Sequence, residues 1–498
     1  MPLGTVAEWV RELGGLGPSS SYGDPGDPGD PEVTGITLSS QRVWPGDLYV
    51  ALPGARAHGM DYVEQARKAG SVAVLTDPAG AERGRAELVT DDPRAVLGRL
   101  AARIYDHPAR TMRMIGVTGT QGKTTTTRLA EGGLERSGVR AGVIGTVGTR
   151  IAGEEVKTTL TTPEAPDLHA LFAVMRERDV AACTMEVSSH ALVKGRVDGV
   201  VFDVAVFLNL GRDHLDFHAD VEDYYRAKAS LFTSERARRA LICVDDEHGR
   251  RLARETTLPV RTFSTIGTEA DWTVADVDSG PDGTSFRVLG PGVDAPAGVP
   301  LPGAFNVTNA LAAVAACGEA GLDAAAVARG IASGGGVPGR FERIDAGQPF
   351  TVVVDYAHKP DAVQAALDSL RPLTQGRLIV VLGAGGDRDP GKRPIMGEIA
   401  ARLADVLVVT DDNPRTEDPA AIRAAILQGA REGARGARGG GAEVLEEGDR
   451  RAAIAAALGR AGPGDVVVVA GKGHETGQEV HGVVHPFDDR AVVRELLQ

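Results

Sequence analysis

The stretch Ile115-Gly-Val-Thr-Gly-Thr-Gln-Gly-Lys-Thr-Thr125 decides the fold of this chain. It follows the apolar run Met112-Arg-Met-Ile115 and opens a helical pattern from Thr124 to Glu135. A glycine-rich turn between a strand and a helix can wrap backbone N–H groups around phosphates at the helix N-terminus. Val117 stands where the strict G-x-x-x-x-G-K-[ST] pattern has its first glycine, and the rest of the pattern is present. The stretch predicts a binding site for a nucleoside triphosphate.

Two side chains of this loop have predicted roles of their own. Lys123 is placed to reach the terminal phosphates, and the Thr124 hydroxyl is placed to hold Mg²⁺. The alternative is a glycine-rich turn with a surface lysine. The strand before the loop and the helix after it argue against that alternative.

Bulk properties exclude several classes of protein. A chain of 498 residues predicts roughly three domains, and its net charge of −14 argues against general binding to nucleic acid or anionic membranes. Cys183, Cys243 and Cys317 form no C-x-x-C pair, which excludes a disulfide framework and a cysteine zinc site. No signal peptide is visible, and no stretch approaches ~18 uninterrupted apolar residues. We expect a cytoplasmic protein.

The middle and the last third of the chain alternate apolar runs with amphipathic helical patterns. This alternation predicts an α/β fold with mostly parallel sheets covered on both faces. The runs are Cys183–Val187, Val204–Leu208, Ala240–Val244, Thr351–Val354, Leu378–Leu382, Val406–Val409 and Val466–Ala470. Two glycine-rich segments, Gly23–Pro31 and 432–441, are predicted to be exposed loops.

Polar, chemically capable residues follow the ends of the C-terminal runs. These segments are Asp355–His358, Gly383–Arg388, Asp411–Arg415 and Gly471–Glu475. In open α/β sheets the ligand crevice lies outside the carboxyl ends of the strands. The pattern therefore predicts a second binding site in the C-terminal part, facing the nucleotide.

Glu186 closes the run Cys183–Val187 and is the predicted second anchor for the Mg²⁺ of the nucleotide. The alternative is a carboxylate at a helix start, with Ser188 as the cap. Asp213, His214 and Asp216 crowd together after the next run, where either a second divalent ion or a solvated polar loop fits the pattern.

Lys228 lies in the helical pattern Tyr224–Phe232, and a helix lysine is by itself more often a solvated surface charge.

Taken in order, these segments resemble the Mur ligase family, cytoplasmic ATP-dependent enzymes of peptidoglycan precursor synthesis. The resemblance runs from about residue 36 to the C-terminus. It implies a three-domain architecture: an N-terminal UDP-substrate-binding domain at 1–110, a central P-loop parallel-sheet domain at 111–337, and a Rossmann-like C-terminal domain at 338–498 that binds the incoming amino acid.

The resemblance also implies site residues, carried over position by position. The ATP contacts are Gly119, Thr120, Gly122, Lys123, Thr124, Thr125, Asn306, Asn309, Arg340, Asp355 and His358. The contacts to the UDP-muramyl peptide are Ser40, Thr161, Thr162, Ser188 and Arg196. The Mg²⁺ ligands are Thr124, Glu186, His214 and Lys228, and the catalytic residues are Lys123, His214 and Lys228.

Lys228 falls on the lysine that is carbamylated in this family. An ammonium beside Mg²⁺ would be repelled, whereas a carbamate supplies an anionic oxygen ligand. The resemblance thus reverses the interpretation of Lys228 as a surface charge. The sequence departs from the family pattern at Ser39-Ser-Gln41, where Asp-Ser-Arg is usual, and at Gln121, where asparagine is usual.

Asp412-Asn-Pro-Arg415 resembles the motif of family members that add diaminopimelate, not lysine. A guanidinium at Arg415 can bind the distal carboxylate of diaminopimelate through two parallel hydrogen bonds. The resemblance places Arg388 at the same carboxylate, and Gly471 and Glu475 at the ammonium. The alternative for the motif alone is an Asx turn fixed by Pro414. The sequence leaves meso- and LL-diaminopimelate, and ornithine, open.

The implied activity is ATP-dependent addition of diaminopimelate to the D-glutamate of UDP-N-acetylmuramoyl-L-alanyl-D-glutamate, through an acyl phosphate. The enzymatic alternatives are a family member that adds lysine, ornithine or a dipeptide, and a ligase like folylpolyglutamate synthetase, which lacks the UDP-binding domain. A P-loop switch without ligase chemistry is the alternative from another class. The implied partners are small molecules, without nucleic acid or membrane, and the resemblance favours a monomer.

Overall fold

The computed structural model describes residues 1–22, 29–54, 56–280, 283–436 and 441–498. Two predicted loops fall partly outside these ranges, because residues 23–28 and 437–440 are not described. In the described part of the chain, no helix is both long and apolar enough to cross a membrane.

The N-terminal part is a four-stranded parallel sheet in the order β1-β2-β3-β4. Its strands are β1 Gly35–Thr37, β2 Asp47–Ala51, β3 Ala73–Thr76 and β4 Leu88–Val89. The helices are α1 Leu3–Gly14, α2 Val63–Lys68, α3 Pro78–Ala81 and α4 Pro93–Ile104, with 3₁₀ turns at Gly59–Tyr62 and Pro108–Thr111. Buried apolar residues of α1 and α4 cover one face of this sheet.

The central part has an eight-stranded sheet in the order β12-β11-β10-β5-β9-β6-β7-β8. Its strands are β5 Arg113–Thr118, β6 Ala141–Ile144, β7 Thr149–Ile151, β8 Glu154–Val156, β9 Ala182–Glu186, β10 Val204–Phe207, β11 Ala240–Cys243 and β12 Val260–Phe263. All neighbours are parallel except at β7 and β8, which form an antiparallel edge. The strand before the phosphate loop therefore lies in the middle of the sheet.

Among the described residues, seven helices and a small antiparallel sheet complete the central part. The helices are α5 Lys123–Arg136, α6 Ala165–Glu177, α7 Ser189–Val193, α8 Val221–Ala229, α9 Glu247–Glu255, α10 Ala304–Glu319 and α11 Ala324–Ala332. The small sheet is made of β13 Thr273–Gly280, β14 Gly283–Gly290 and β15 Val293–Val299.

The C-terminal part has a six-stranded sheet in the order β16-β17-β21-β18-β19-β20, parallel except for β16. The strands are β16 Glu342–Ile344, β17 Thr351–Asp355, β18 Leu378–Leu382, β19 Val406–Val409, β20 Glu443–Glu446 and β21 Val466–Ala470, followed by the hairpin β22 Gly477–Val480 and β23 Val483–Pro486. The helices are α12 Pro360–Leu370, α13 Lys392–Leu403, α14 Pro419–Gly436, α15 Arg450–Leu458 and α16 Asp489–Leu497, with a 3₁₀ turn at Arg371–Leu373.

The predicted α/β fold with parallel sheets is confirmed, and the predicted strands agree with the observed ones to within a residue at each end. One prediction is wrong: residues 432–436, expected in a loop, continue helix α14. The reason is tertiary. Gly429 and Gly433 let α14 approach α13 so closely that an added Cβ would lie 1.8 Å and 2.3 Å from backbone oxygens of that helix.

The central and C-terminal parts share an apolar core. One cluster of buried side chains extends from Val206 in β10 through α10 to Phe341 and Val380. Phe305 and Phe341 contact edge to face, with ring centroids 5.1 Å apart. This shared core fixes the C-terminal sheet against the phosphate loop. The domain limits 1–110, 111–337 and 338–498 stay predictions.

Candidate functional site

The phosphate loop spans residues 119–122, between the end of β5 and Lys123, the first residue of α5. Gly122 has a left-handed backbone (φ 84°), and a Cβ there would lie 2.3 Å from Asn309 Oδ1 of α10. The turn therefore requires glycine both for its conformation and for the close approach of α10. This geometry leaves the N-terminus of α5 pointing at the loop, as phosphate binding needs.

The Lys123 ammonium lies back over this loop. Its Nζ donates hydrogen bonds to the carbonyl oxygens of Gly119 at 2.6 Å and Thr120 at 3.2 Å. Desolvation, reinforced by the nearby Lys359 ammonium, lowers the pKa of Lys123 to about 8. The structure thus places a cation over the loop, where terminal phosphates would need it.

Asn209 contacts the phosphate loop through its side-chain amide, and no role was predicted for it from the sequence. Its Oδ1 accepts hydrogen bonds from the backbone N–H groups of Thr120 at 3.0 Å and Gln121 at 2.9 Å, and its Nδ2 donates to the Gln121 carbonyl at 3.2 Å. The sequence feature that could have identified Asn209 as a site residue is its position two residues after β10. A polar residue at that point faces the same sheet edge as the loop.

Glu186, at the end of β9, lies beside the phosphate loop as predicted. Its Oε1 accepts hydrogen bonds from the Thr124 hydroxyl at 2.8 Å and the Thr146 N–H at 2.7 Å, and its Oε2 accepts one from the Thr146 hydroxyl at 3.1 Å. The Thr146 and Thr161 hydroxyls are 3.0 Å apart. These residues form a compact set of oxygen ligands of the kind Mg²⁺ prefers.

His214 borders the same cleft and has a left-handed backbone conformation (φ 53°). Its Nε2 is 3.1 Å from Asp213 Oδ2, and burial lowers the pKa of His214 to about 4. Burial alone would raise the pKa of Asp213, but Lys359 and His214 hold it at about 2. His214 is therefore neutral at pH 7, the state in which imidazole binds a metal.

The hypothesis of a second ion formed by Asp213, His214 and Asp216 finds no support among the described residues. Asp213 makes an ion pair with Lys359 of the C-terminal part, and Asp216 is exposed. No group of three His, Cys, Asp or Glu side chains in the described ranges is arranged to hold a metal.

Lys228 is buried, so its interpretation as a surface charge is wrong. Only 1% of the residue is exposed, its Nζ donates to the Gly119 carbonyl at 2.9 Å, and it lies 4.6 Å from the centre of the Tyr224 ring. Burial, reinforced by the Lys123 and Lys359 ammonium groups, lowers the pKa of Lys228 far below its usual range. A neutral amine in the cleft follows from this environment.

A cavity of about 610 Å³ joins these groups to the C-terminal part. Its lining includes the following residues predicted to bind ATP: Thr120, Gly122, Lys123, Thr124, Thr125, Asn306, Asn309, Arg340, Asp355 and His358. It also includes Thr161, Glu186, Ser188, His214 and Lys228. The structure thus brings together residues from widely separated stretches around one cleft.

On the α10 side of the cleft, Asn306 Nδ2 donates to the Pro302 carbonyl at 2.7 Å, and Asn309 Nδ2 donates to Asn306 Oδ1 at 3.3 Å. On the C-terminal side, the Arg340 guanidinium lies 4.4 Å from the centre of the Tyr356 ring and donates to the Thr124 hydroxyl at 3.2 Å. A C-terminal cation therefore already reaches the phosphate loop.

Two more C-terminal residues lie at this wall. Asp355 accepts hydrogen bonds from the N–H groups of Phe341 at 2.8 Å and Ala357 at 2.9 Å, and desolvation raises its pKa. His358 Nδ1 is 2.7 Å from the Tyr356 carbonyl, and desolvation lowers the pKa of the ring.

The predicted muramyl-peptide contacts form two groups. The Thr162 hydroxyl donates to the Glu186 carbonyl at 2.9 Å and lies 3.5 Å from Ser188 Oγ. Ser188 also caps α7, accepting from the Ala191 N–H, and Arg196 Nη1 donates to the Thr162 carbonyl at 3.4 Å. These residues lie beside Thr161, whereas Ser40 lies apart in the N-terminal part, 3.1 Å from Gln65 Oε1.

The predicted amino-acid site lies at the carboxyl ends of β19 and β21. Asn413 Nδ2 donates to Glu475 Oε2 at 2.8 Å, and Asp412 is buried beside them. Gly471 has a left-handed backbone (φ 117°), and its N–H donates to the Asp355 carbonyl at 3.1 Å. The structure therefore connects this cluster to the nucleotide cleft through the ends of β17 and β21.

Arg415 lies at the rim of the cluster with a left-handed backbone (φ 53°). Its Nη1 donates to the Gly386 carbonyl at 2.6 Å, and its Nε is 3.3 Å from Glu479 Oε2. Pro414 is buried against Gly386, whose Cβ would meet the Pro414 carbonyl at 1.9 Å. The Arg388 side chain is exposed and donates to the carbonyl of Asp387.

Lys359, Lys472 and Tyr224 contact predicted site residues, although no role was predicted for them from the sequence. Lys359 directly follows Asp355–His358, and Lys472 lies inside Gly471–Glu475. The hydroxyl oxygens of Tyr224 and Thr120 are 3.2 Å apart. Adjacency to a strand end was the signal available for both lysines, but it says nothing about burial.

A parallel sheet with a glycine-rich phosphate loop, closed by a second α/β sheet with polar strand ends, defines a nucleotide-dependent enzyme with a separate site for a second substrate. Three family models cover most of the chain: "Mur ligase family, catalytic domain" matches residues 32–105, "Mur ligase middle domain" 117–317, and "Mur ligase, glutamate ligase domain" 339–473. The chain belongs to the Mur ligase family.

Two similar relatives are each called UDP-N-acetylmuramoyl-L-alanyl-D-glutamate–2,6-diaminopimelate ligase. The one from Streptomyces coelicolor is 56% identical and aligns over 99% of this chain and 96% of its own length. The one from Streptomyces avermitilis is 58% identical and aligns over 94% of this chain and 93% of its own length. A solved structure with the same name is 35% identical, covers 93% of this chain and 94% of its own, and superposes with a TM-score of 0.66.

Proposed function

We propose that this chain is an ATP-dependent ligase that joins diaminopimelate to the D-glutamate of UDP-N-acetylmuramoyl-L-alanyl-D-glutamate, a step of peptidoglycan precursor synthesis. The observation that carries the proposal is the arrangement of Arg415 beside the Asn413–Glu475 cluster, at strand ends that adjoin the phosphate-loop cleft. Relatives more than 50% identical over nearly the whole chain, named for this activity, support it.

The first chemical step needs a carboxylate and ATP in one cleft. The free carboxylate of the D-glutamate attacks the γ-phosphate, so that the bond to the β-phosphate breaks and an acyl phosphate and ADP form. Lys123, over the loop, neutralises charge that develops on the transferred phosphoryl group. Arg340, which already reaches Thr124, supplies a second cation from the C-terminal side.

Mg²⁺ fits the donors on the loop side of the cleft. The Thr124 hydroxyl and the Glu186 carboxylate are adjacent oxygen donors, and neutral His214 lines the same cavity. When bound, Mg²⁺ would withdraw charge from the phosphate oxygens. Lys228 fits the set as a carbamate, because Mg²⁺ prefers anionic oxygen ligands to an amine nitrogen.

Carbamylation of Lys228 is chemically consistent with its surroundings. A neutral amine adds to carbon dioxide and releases a proton, which leaves a carbamate anion. The depressed pKa of Lys228 supplies the neutral amine, and the neighbouring Lys123 and Lys359 cations stabilise the anion that forms. This modification converts a neutral amine into an anionic oxygen ligand.

The second step transfers the acyl group to an amine. The deprotonated amine of diaminopimelate attacks the acyl carbon, the amide bond forms, and phosphate leaves. Acyl phosphates hydrolyse in water, so the cleft must exclude it. The shared apolar core and the Asp213–Lys359 ion pair keep the C-terminal part docked over the loop.

Selection of the amino acid rests on Arg415. Its guanidinium can pair with the distal carboxylate of diaminopimelate, displacing Glu479 from its Nε. Lysine carries no distal carboxylate, and its ammonium would face a like charge, a penalty of about 1–3 kcal/mol or more. We include Arg388 as a second contact, which its exposed side chain is free to make by moving.

The test is phosphate release from ATP and Mg²⁺ with UDP-N-acetylmuramoyl-L-alanyl-D-glutamate and a panel of amines, with products identified by mass. The panel holds meso- and LL-diaminopimelate, lysine, ornithine, glutamate and D-alanyl-D-alanine. Release with a diaminopimelate isomer alone supports the proposal and identifies the isomer. Release with lysine or ornithine keeps the ligase and overturns the role of Arg415.

The same assay separates the remaining alternatives. Glutamate-dependent release with a folate in place of the muramyl peptide would indicate a folylpolyglutamate synthetase. Slow ATP hydrolysis indifferent to every amine and to the muramyl peptide would indicate a P-loop switch. We propose further that the enzyme acts as a cytoplasmic monomer, which a molar mass of one 51.8 kDa chain in light scattering would support.

A further inference from the structure

Lys472 is a fully buried cation at the centre of the cluster that we assign to the incoming amino acid. None of its side-chain surface is exposed. Its Nζ lies 3.0 Å from Asn413 Oδ1, 3.2 Å from Glu475 Oε2 and 3.5 Å from Asp412 Oδ1. A buried ammonium is stable only where acceptors surround it, and here three acceptors match its three N–H donors.

Lys472 fixes the orientation of the Glu475 carboxylate. Glu475 Oε2 receives hydrogen bonds from the Lys472 ammonium and, at 2.8 Å, from Asn413 Nδ2. Asn413 is itself held, because its Oδ1 accepts from both Lys472 and the Glu479 N–H at 2.9 Å. Two donors on one oxygen leave the partly exposed carboxylate few orientations, which a binding group needs.

Lys472 also balances charge within this cluster. Asp412 and Glu475 are carboxylates that both approach the same ammonium. Together the three side chains carry one net negative charge, which complements one substrate ammonium. Without Lys472 the two carboxylates would face each other in a poorly solvated site, where like charges repel strongly.

We propose that Lys472 is a positioning residue for the incoming diamino acid. It contacts no reacting atom; it aligns Asp412, Asn413 and Glu475, and it sets the charge of their site so that Glu475 receives an ammonium of the substrate. This role rests on the proposed function of the cluster as the amino-acid site.

The test compares the KM values of three substrates in Lys472→Met, which keeps most of the length of the side chain and removes its charge. We expect the KM for diaminopimelate to rise at least tenfold, and the KM values for ATP and the muramyl peptide to change less than twofold. An unchanged KM for diaminopimelate, or an equal rise in all three, would overturn the role. Lys68→Met, the same change at an exposed position of α2, is the matched control and should alter none of them.

A second pair of variants separates charge balance from packing. Asp412→Asn in the Lys472→Met background restores one net negative charge, so it should recover part of the lost affinity for diaminopimelate. No recovery would overturn the charge-balance role.

If Lys472→Met does not fold, the double variant is compared with Asp412→Asn alone. The KM for diaminopimelate should then be at least fivefold higher in the double variant, because the hold on Glu475 is lost. Equal values would overturn the proposal. If the wild-type enzyme does not use diaminopimelate, the proposed function and this inference are both overturned. If the wild-type enzyme is active and Lys472→Met leaves the KM for diaminopimelate unchanged, the inference alone is overturned.

Discussion

Two buried lysines, one in the central part and one in the C-terminal part, have opposite surroundings. Lys228 contacts a carbonyl and the Tyr224 ring, and the Lys123 and Lys359 cations act on its pKa more strongly than the Asp213 carboxylate does. Lys472 lies between two carboxylates and an amide oxygen. Both have at most 1% of their surface exposed. Burial alone therefore does not define what a lysine does in this protein.

The difference follows from the charges that each lysine meets. Around Lys228, desolvation and the neighbouring cations act in the same direction and favour the neutral amine, which can react. Around Lys472, carboxylates compensate for the lost hydration of an ammonium, which then serves as a fixed structural charge. We propose that one site uses lysine for its chemistry and the other uses it for its position.

The largest expected effect tests the reactive member of this pair. Lys228→Met should lower turnover about a thousandfold, because the cleft loses the carbamate ligand that helps to stabilise the phosphoryl transfer. Turnover is measured by phosphate release at saturating substrates. Intact mass of the wild type under bicarbonate should show an addition of one carbon dioxide that the variant lacks. Retention of more than a tenth of wild-type turnover would refute the assignment.

The next effect concerns the cation beside Lys228. Lys123→Ala should lower turnover at least a hundredfold, because the charge on the transferred phosphoryl group loses its partner on the loop. Steady-state kinetics with ATP varied provide the measurement, and circular dichroism checks the fold. If the variant kept more than a tenth of the wild-type rate, Lys123 would not be the cation that neutralises charge on the transferred phosphoryl group.

A smaller effect is expected at the rim of the Lys472 site. Arg415→Ala should lower kcat/KM for diaminopimelate by about ten- to a hundredfold, in line with the loss of a charge-assisted pair worth about 1.5–3 kcal/mol. The value for lysine should not fall, since lysine has no distal carboxylate to lose. Competition between the two amino acids, with the products quantified by mass, gives the ratio of their kcat/KM values directly. A parallel loss for both would indicate damage to the site.

The smallest effect is a dependence on pH. Desolvation lowers the pKa of Lys123 to about 8 in the free enzyme, so the ammonium is present below that pH and lost above it. Since kcat/KM reports on the free enzyme, kcat/KM for ATP should fall about tenfold per pH unit well above 8. Lys228 has the opposite requirement, because carbamylation uses the neutral amine. Carbamylation, followed by mass, should therefore not decline as pH rises over the same range.

Much of the fold was predictable because its signals are local. The β-branched runs Leu378–Leu382 and Val406–Val409 have the composition and length of strands buried on both faces, and they form β18 and β19 with the predicted limits. The loop prediction for 432–436 failed because close packing of α13 against α14, made by Gly429 and Gly433, is not visible in a short window of sequence.

Site residues were predictable where they follow a strand and belong to a chemically distinctive motif. Lys123, Glu186 and His214 were found in this way, and the structure places them around one cleft. Asn209 and Lys359 were missed, although they lie at strand ends too. Their roles depend on partners about 90 and 146 residues away, at Thr120 and Asp213.

The sequence by itself determined the family and the phosphate loop, because these depend on residue types at fixed spacings. Only the tertiary structure decided what the buried lysines can do. The charge state of Lys228 and the proposed role of Lys472 depend on which groups the sheets bring within a few ångströms. Electrostatic interactions follow distance in space, not separation along the chain.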